Sequence, residues 1–350
     1  MQTLTGMERI LIDSQVTYYA SEYEKAFRTL GFDVPGELRK LKNKLGTLNA
    51  YNLLTAEELV QYQQYLEEVA KDYDNDDPAK NLLVLLPDEF PIYVEKYSSS
   101  FPIVSMDKDL AFDIKGTPPA PKTKKFWELI VGIMHYEKYV RPIMVPFIEA
   151  LGIRTCVYCN AQYALTIDHS KGMFELDHRY PKSKYPFLCT SFYNLQPSCP
   201  TCNHGKKAAT ADFGLYTTNE LQLRPFHLLT NPQVYFRKRR LDSKLISVHL
   251  VASDVNDIDQ IKQASSHERD FDIDATYREL VDVAEETMWR CRAYDNSYKE
   301  LFLNQFPELY DKDSLHRFIF GTYAEGNIHR RPLTKLIRDI EADMRVVITL

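Results

Sequence analysis

The sequence has no apolar run long enough to cross a bilayer. Its longest strongly apolar stretches, Leu82 to Leu86 and Ile130 to Met134, fall far short of the roughly 20 residues that a transmembrane helix needs. The first residues, MQTLTGMERILIDSQV, lack a basic segment followed by an apolar one, so neither secretion nor membrane insertion is expected, and the expected location is the cytoplasm. With 12 glycines and 18 prolines in 350 residues, and no internal repeat, the chain is neither low-complexity nor collagen-like. Six cysteines are too few for a disulfide-built scaffold of this size. An excess of positive charge is missing too: 43 Lys and Arg stand against 49 Asp and Glu, a net charge of −6, which taken alone argues against nucleic acid. The distribution reverses that impression. Lys171 to Lys244 holds 12 basic residues against 5 acidic ones, so one segment is basic within an acidic chain, and phosphate contact is local.

What is present is a soluble balance of 44% hydrophobic and 26% charged residues, enough for more than one core. Residues 1–150 read as a helical amino-terminal region. Thr55 and Glu58 form a capping box, and Leu59, Tyr62, Leu66, Val69 and Tyr73 recur at helical spacing until DNDDPAKN stops them. KGTPPAPKTKK, from Lys115, reads as a linker before a helix from Phe126 to about Leu151. Residues 246–350 again read as helical, with stripes Tyr277, Leu280, Val281, Ala284, Met288, Cys291 and Leu333, Leu336, Ile337, Ile340, Met344. Between them, residues 151–245 change character. YALTID and MFELDH flank a turn at HSKG as a candidate hairpin, and a short helix is expected after Ser198. The expected architecture is mainly α with an inserted strand-strand-helix unit.

Four of the six cysteines fall in two pairs, Cys156 and Cys159 in CVYCN and Cys199 and Cys202 in CPTCN. Two residues between sulfurs let each pair reach one ion from a tight turn, and two pairs supply the four thiolates of a closed zinc site. The 39 residues between Cys159 and Cys199 require something folded between the pairs. A redox dithiol at Cys199 and Cys202 would leave the first pair without a role, and no βαβ pattern accompanies either. Cys189 and Cys291 have no partner at ligand spacing and read as ordinary buried thiols. His135 and Glu137 make an H-x-E that could suggest a zinc deaminase, but Ser198 separates Pro197 from Cys199, and that reading also strands the first pair.

Between the cysteine pairs lie ELDHRYPKSKYP, from Glu175, and SFYNLQPSCPTCNHGKK, from Ser191. Phosphodiester cleavage needs a base for an attacking water and positive charge beside the leaving oxygen. His178 suits the base, since an unperturbed imidazole is neutral and proton-accepting at cellular pH. Asp177 and Asn203 supply a carboxylate and an amide oxygen, sufficient protein ligands for a hard cation such as Mg²⁺ or Mn²⁺ that keeps most of its waters, with His204 next door as the alternative to Asn203. Adjacent strand residues point to opposite faces, so Asp177 is expected to face the metal and His178 the water. On a helix, Asn203 shares a face with Lys206 and Lys207, which are expected to meet phosphates, as are Arg179 and Lys182. Lys184 and the run Arg237 to Arg240 are weaker phosphate candidates. Asp168 and His169 form a second D-H pair without the accompanying residues.

Taken in order, Asp177, His178, Pro181, Ser183, Asn194, Leu195, Cys199, Cys202, Asn203 and Lys206 resemble the HNH, or ββα-metal, endonuclease family, over about 52 residues from Cys156 to Lys207. The resemblance implies a ββα-metal fold for this unit, DNA as substrate with RNA left open, and a role for Asn194 in holding the loop that orients the base. The stretch DHRYPKS followed by CNHGKK is similar to HNH proteins of bacterial anti-phage systems of the Septu and retron-associated type. That similarity implies a part in defence and an ATPase as partner protein. The rival reading is a non-catalytic zinc module that binds nucleic acid, which would have no need of a base beside a metal ligand.

Overall fold

The computed structural model describes residues 5–31, 33–52, 54–116, 120–168, 171–232, 243–323 and 326–348. His169 and the run Arg237 to Arg240 lie outside the described residues. Among the described residues no helix is long and apolar enough to cross a membrane.

The amino-terminal helices begin where the sequence offers side-chain caps. Asp13 accepts from the amides of Gln15 and Val16 to start Ser14–Arg28, Asp33 caps Val34–Thr47, and Thr55 with Glu58 forms a complete capping box on Ala56–Tyr73. Each helix buries one stripe, including Tyr23 and Phe27 on the first and Tyr62, Tyr65, Leu66, Val69 and Tyr73 on the third. The tyrosines bring hydroxyls into this core, and buried hydroxyls need partners. Tyr23 donates to the Thr190 carbonyl at 2.6 Å and Tyr73 to the Phe187 carbonyl at 3.3 Å. The helical region thereby clamps the loop before the second strand of the central unit.

Two expected elements before the central unit differ. The stretch from Lys115 is no simple linker: Asp109–Lys115 pairs antiparallel with Ala120–Lys125, and only residues 117–119 lie outside the described set. The helix expected from Phe126 to Leu151 is broken into Phe126–Ile133, a five-residue π turn Tyr136–Val140, and Arg141–Ala150, with His135 left-handed at φ 49°. Pro142 accounts for part of this, because inside a continuous helix its ring would clash with the Lys138 carbonyl and its missing N–H would break the ladder, although Pro146 is carried inside Arg141–Ala150. At the start of a new helix Pro142 is tolerated.

In the middle, the hairpin expected from YALTID and MFELDH is divided. Leu165–Asp168 pairs with Lys171–Met173, whereas Glu175–His178 pairs with Leu195–Ser198, in the register Glu175 to Ser198 and His178 to Leu195. Phe174, buried between the two ladders, gives its carbonyl to the Arg141 guanidinium at 2.8 Å instead of to a neighbouring strand. The helix Pro200–Lys206 follows the second strand directly, with Cys199 as its N-cap and Pro200 at its first position.

The carboxyl-terminal third supplies the Phe226–Thr230 and Val248–Ala252 hairpin and six helices among the described residues, from Ile258–Phe271 to Thr334–Ile348. The stripe expected from Tyr277 to Cys291 is split between Ile273–Arg278 and Val281–Ala293. The boundaries drawn at 150 and 245 do not interrupt the interior. One continuous cluster of buried side chains runs from Val16 to Met344, and Thr5–Met7 pairs in parallel with Gly326–Asn327.

Candidate metal centre and catalytic cavity

The sulfurs of Cys156, Cys159, Cys199 and Cys202 all lie within 4.8 Å of one another, and all four residues are buried. A tetrahedral zinc with Zn–S bonds of about 2.3 Å needs sulfurs roughly 3.8 Å apart, so the cluster fits that ion. Each pair sits in a knuckle that points backbone amides at sulfur: Ala161 donates to Cys159 at 3.4 Å and Cys202 to Cys199 at 3.5 Å. Hydrogen bonds from the other three cysteines hold the Cys199 thiol far below its usual range, the same neighbours push Cys202 up, and burial pushes Cys156 up. Four sulfurs this close ionise together only around a cation. Asn160, left-handed at φ 52°, closes the first knuckle and ties it to the carboxyl-terminal region. Its side chain donates to the Thr155 hydroxyl and the Ile328 carbonyl, and its Oδ1 accepts from the Lys335 amide.

The second knuckle runs into the helix Pro200–Lys206, and the strand Glu175–His178 lies beside it. His178 is buried, its ring 4.6 Å from that of Tyr136, with Nε2 3.0 Å from the Cys189 carbonyl. A carbonyl only accepts, so Nε2 carries the proton and Nδ1 keeps the lone pair. Burial, reinforced by the Lys182 charge, pushes the imidazole down to about 3, well below the unperturbed range expected from the sequence, so the ring is neutral but a weaker proton acceptor than a free imidazole. The Cys189 carbonyl belongs to the loop that Tyr23 and Tyr73 clamp, so the amino-terminal helices reach the imidazole through one short stretch of chain.

Asp177 is also buried. Its Oδ2 accepts from the Tyr158 hydroxyl at 2.5 Å and lies 3.2 Å from Lys206 Nζ. Burial raises its carboxyl, and Lys206 followed by Tyr158 opposes the rise. Asn194 is fully buried and satisfied on both ends of its carboxamide: Oδ1 accepts from the Tyr180 amide at 2.8 Å, and Nδ2 donates to the carbonyls of Tyr180 and Leu188. It pins the loop that leaves His178. Asn203 donates through Nδ2 to Glu175 Oε2 at 2.5 Å, and His204 Nε2 lies 3.2 Å from the same oxygen.

Asp177, His178 and Asn203 line a single open cavity of about 470 Å³, together with Glu175, Lys182 and Lys207. The oxygen donors of Asp177 and Asn203 have the hardness that Mg²⁺ or Mn²⁺ requires, and Glu175 adds a third oxygen group on the same wall. Of the cations expected to meet phosphate, Lys182 and Lys207 are on this wall, Lys182 at 3.2 Å from Glu137 and Lys207 exposed. Two are elsewhere. Lys206 has a fully buried side chain, paired with Asp177 and donating to the carbonyls of His178 and Ala209, so it is a counter-ion inside the unit with no surface to offer a phosphate. Arg179 turns to the carbonyls of Ala211 and Asp212, seated against Gly214, where a Cβ would come within 2.8 Å of its guanidinium. It lines a different cavity, shared with Arg9. Lys184 is exposed outside the cavity lining.

Reading the sequence missed Glu175, Tyr158, Arg141 and the carbonyl of Cys189. Glu175 had a signal, since it stands two residues before Asp177 and strand residues two apart share a face. Tyr158 had a weaker one, being the polar residue inside the first cysteine pair. Arg141 and Cys189 act through contacts with distant segments that spacing does not encode.

No protein-family model matches the chain, and no solved structure matches it. Over 52 residues it is 42% identical to the Septu protein PtuB of Bacillus thuringiensis, a match that covers 15% of this chain and 18% of that protein.

Proposed function

We propose that the chain is a metal-dependent endonuclease that hydrolyses phosphodiester bonds of DNA, and that it serves as the nuclease of a bacterial anti-phage system. The observation that carries the reading is the convergence of a carboxylate, a neutral imidazole and a carboxamide on one cavity flanked by lysines. In this reading His178 takes the proton of an attacking water on Nδ1, while Cys189 and Tyr136 hold its ring. Asp177 and Asn203 hold Mg²⁺ or Mn²⁺, which when bound supplies positive charge to the phosphate and the leaving oxygen. Lys206 and Tyr158 keep the Asp177 carboxylate fixed, and Lys182 and Lys207 draw the sugar-phosphate backbone to the mouth. The zinc holds the two knuckles together and takes no part in the reaction.

The defence role is supported by the 52-residue similarity to a Septu protein, and the ATPase partner belongs to the same proposal. Supercoiled plasmid incubated with Mg²⁺ or Mn²⁺ tests the activity. The wild type is expected to nick and linearise it, and His178→Ala to leave it intact while still binding. Wild-type protein that shifts the plasmid in a gel but never cuts it, with either cation, would leave the zinc-containing binding module as the better reading. Affinity purification from the native host, read for a co-purifying ATPase, tests the partner.

A further inference from the structure

We propose that Glu175 is a positioning residue for the catalytic cation: it fixes which end of the Asn203 carboxamide faces the cavity. The inference rests on the nuclease reading and goes beyond it by giving a role to a residue outside the Asp177, His178 and Asn203 set.

The two ends of a carboxamide have the same shape and opposite chemistry. Its oxygen can ligate a cation, and its NH₂ has no lone pair to offer. An asparagine that holds a hard cation therefore needs something to choose its orientation. Glu175 lies in the strand two residues before Asp177, so both side chains leave the same face of the ladder. Its ladder partner is Ser198, the residue before Cys199, and Asn203 is held one turn on, its amide bonded to the Cys199 carbonyl at 3.0 Å. That path brings Glu175 Oε2 to 2.5 Å from Asn203 Nδ2. A carboxylate oxygen accepts and does not donate, so the nitrogen must turn toward Glu175 and Oδ1 is directed away from it. His204 Nε2, 3.2 Å from the same Oε2, holds the carboxylate from the solvent side. His204 thus meets the same carboxylate that orients Asn203.

A double-mutant cycle read by Mn²⁺ binding tests this. Free Mn²⁺ is followed by electron paramagnetic resonance in the intact, zinc-loaded protein, with no DNA present. E175Q keeps the size of the side chain and can pair with the Asn203 amide either way round, so the competent orientation is held only part of the time. In the N203A protein there is no carboxamide to orient and no side chain for Glu175 to pair with. E175Q should weaken Mn²⁺ binding at least about threefold more in the Asn203 protein than in the N203A protein. The direct effect of the lost negative charge on the cation is present in both backgrounds and cancels. Equal losses in the two would mean that Glu175 acts by charge or as a direct ligand. No loss in either would mean that it only ties strand to helix. Both results overturn the proposal. Zinc content reports folding, and if E175Q does not fold, E175M repeats the comparison with an apolar side chain of similar length. Plasmid nicking by the wild type separates the two levels, since coupling at Mn²⁺ without any cleavage would keep the positioning role and sink the nuclease.

Discussion

His178 and its neighbours show what residue types alone reveal. The pair Asp177 and His178 was legible because a carboxylate beside an imidazole, followed at set intervals by Asn194 and Asn203, is a pattern that chance rarely supplies. If His178 is the base, His178→Ala should lower cleavage by about 10²- to 10⁴-fold with zinc content and DNA binding unchanged. A variant that cleaves like the wild type would remove His178 from the chemistry. The lysines show the limit of the same reasoning. Helical offsets place Lys206 and Lys207 near Asn203, but they do not say which one the fold swallows. Lys206 is enclosed with Asp177, whereas Lys207 is exposed. Lys207→Ala should therefore weaken binding to all DNA sequences and lower the salt slope by about one, with stability unchanged. Lys206→Ala should destabilise the protein by about 3 kcal/mol, because it leaves Asp177 buried without its counter-ion. Urea unfolding and salt-dependent binding, run on both variants, would contradict the assignment if Lys206→Ala changed only the salt slope.

At the scale of elements, local signals were legible and long-range partners were not. The Thr55 and Glu58 capping box lies within four residues, and the structure has it as read. The strand Glu175–His178 was recognisable as a strand, yet its pairing with Leu195–Ser198 instead of the nearer Leu165–Asp168 depends on Phe174 and Arg141, which come together only in the fold. The two cysteine knuckles fall between these cases, since each is local but their meeting is not. Purified protein should contain about one zinc per chain. Cys156→Ser or Cys199→Ser should lose it and unfold at much lower urea, while mild EDTA should stop cleavage before zinc leaves, because a cation on oxygen donors exchanges more readily than one on four thiolates. Fully active protein found to be zinc-free by elemental analysis would exclude the site. The first knuckle has a further consequence. Through Asn160 it caps the helix Thr334–Ile348 at the Lys335 amide, so zinc loss should raise hydrogen exchange in that distant helix as well as in the knuckles.

For the whole molecule, the division at 150 and 245 was drawn where helical stripes give way to cysteine pairs and short strands, and such a change of pattern does not mark where packing stops. The core passes through all three regions, and the two ends of the chain are joined by charge. Lys335 is buried between Glu8 and Asp339, at 2.5 and 2.6 Å, and the next turns of the same helix carry Asp339 and Asp343 to His227. Burial opposes charge on His227 and Lys335 repels it, but hydrogen bonds with Asp339 and Asp343 outweigh both and push the imidazole up to about 9. The folded state therefore binds this proton more tightly than the unfolded chain, whose histidine titrates near 6.5. The stability it contributes is fully present below about pH 6.5 and is lost as pH rises through about 9. Its size is on the order of 2 kcal/mol, since each tenfold gain in proton affinity is worth about 1.4 kcal/mol and the site is partly open to solvent. Urea denaturation from about pH 6 to about pH 10 should show the wild type losing that much more stability than His227→Gln, which cannot take up the proton. Parallel pH profiles for the two proteins would mean that the link between the strand Phe226–Thr230 and the carboxyl-terminal helix does not depend on a charged His227.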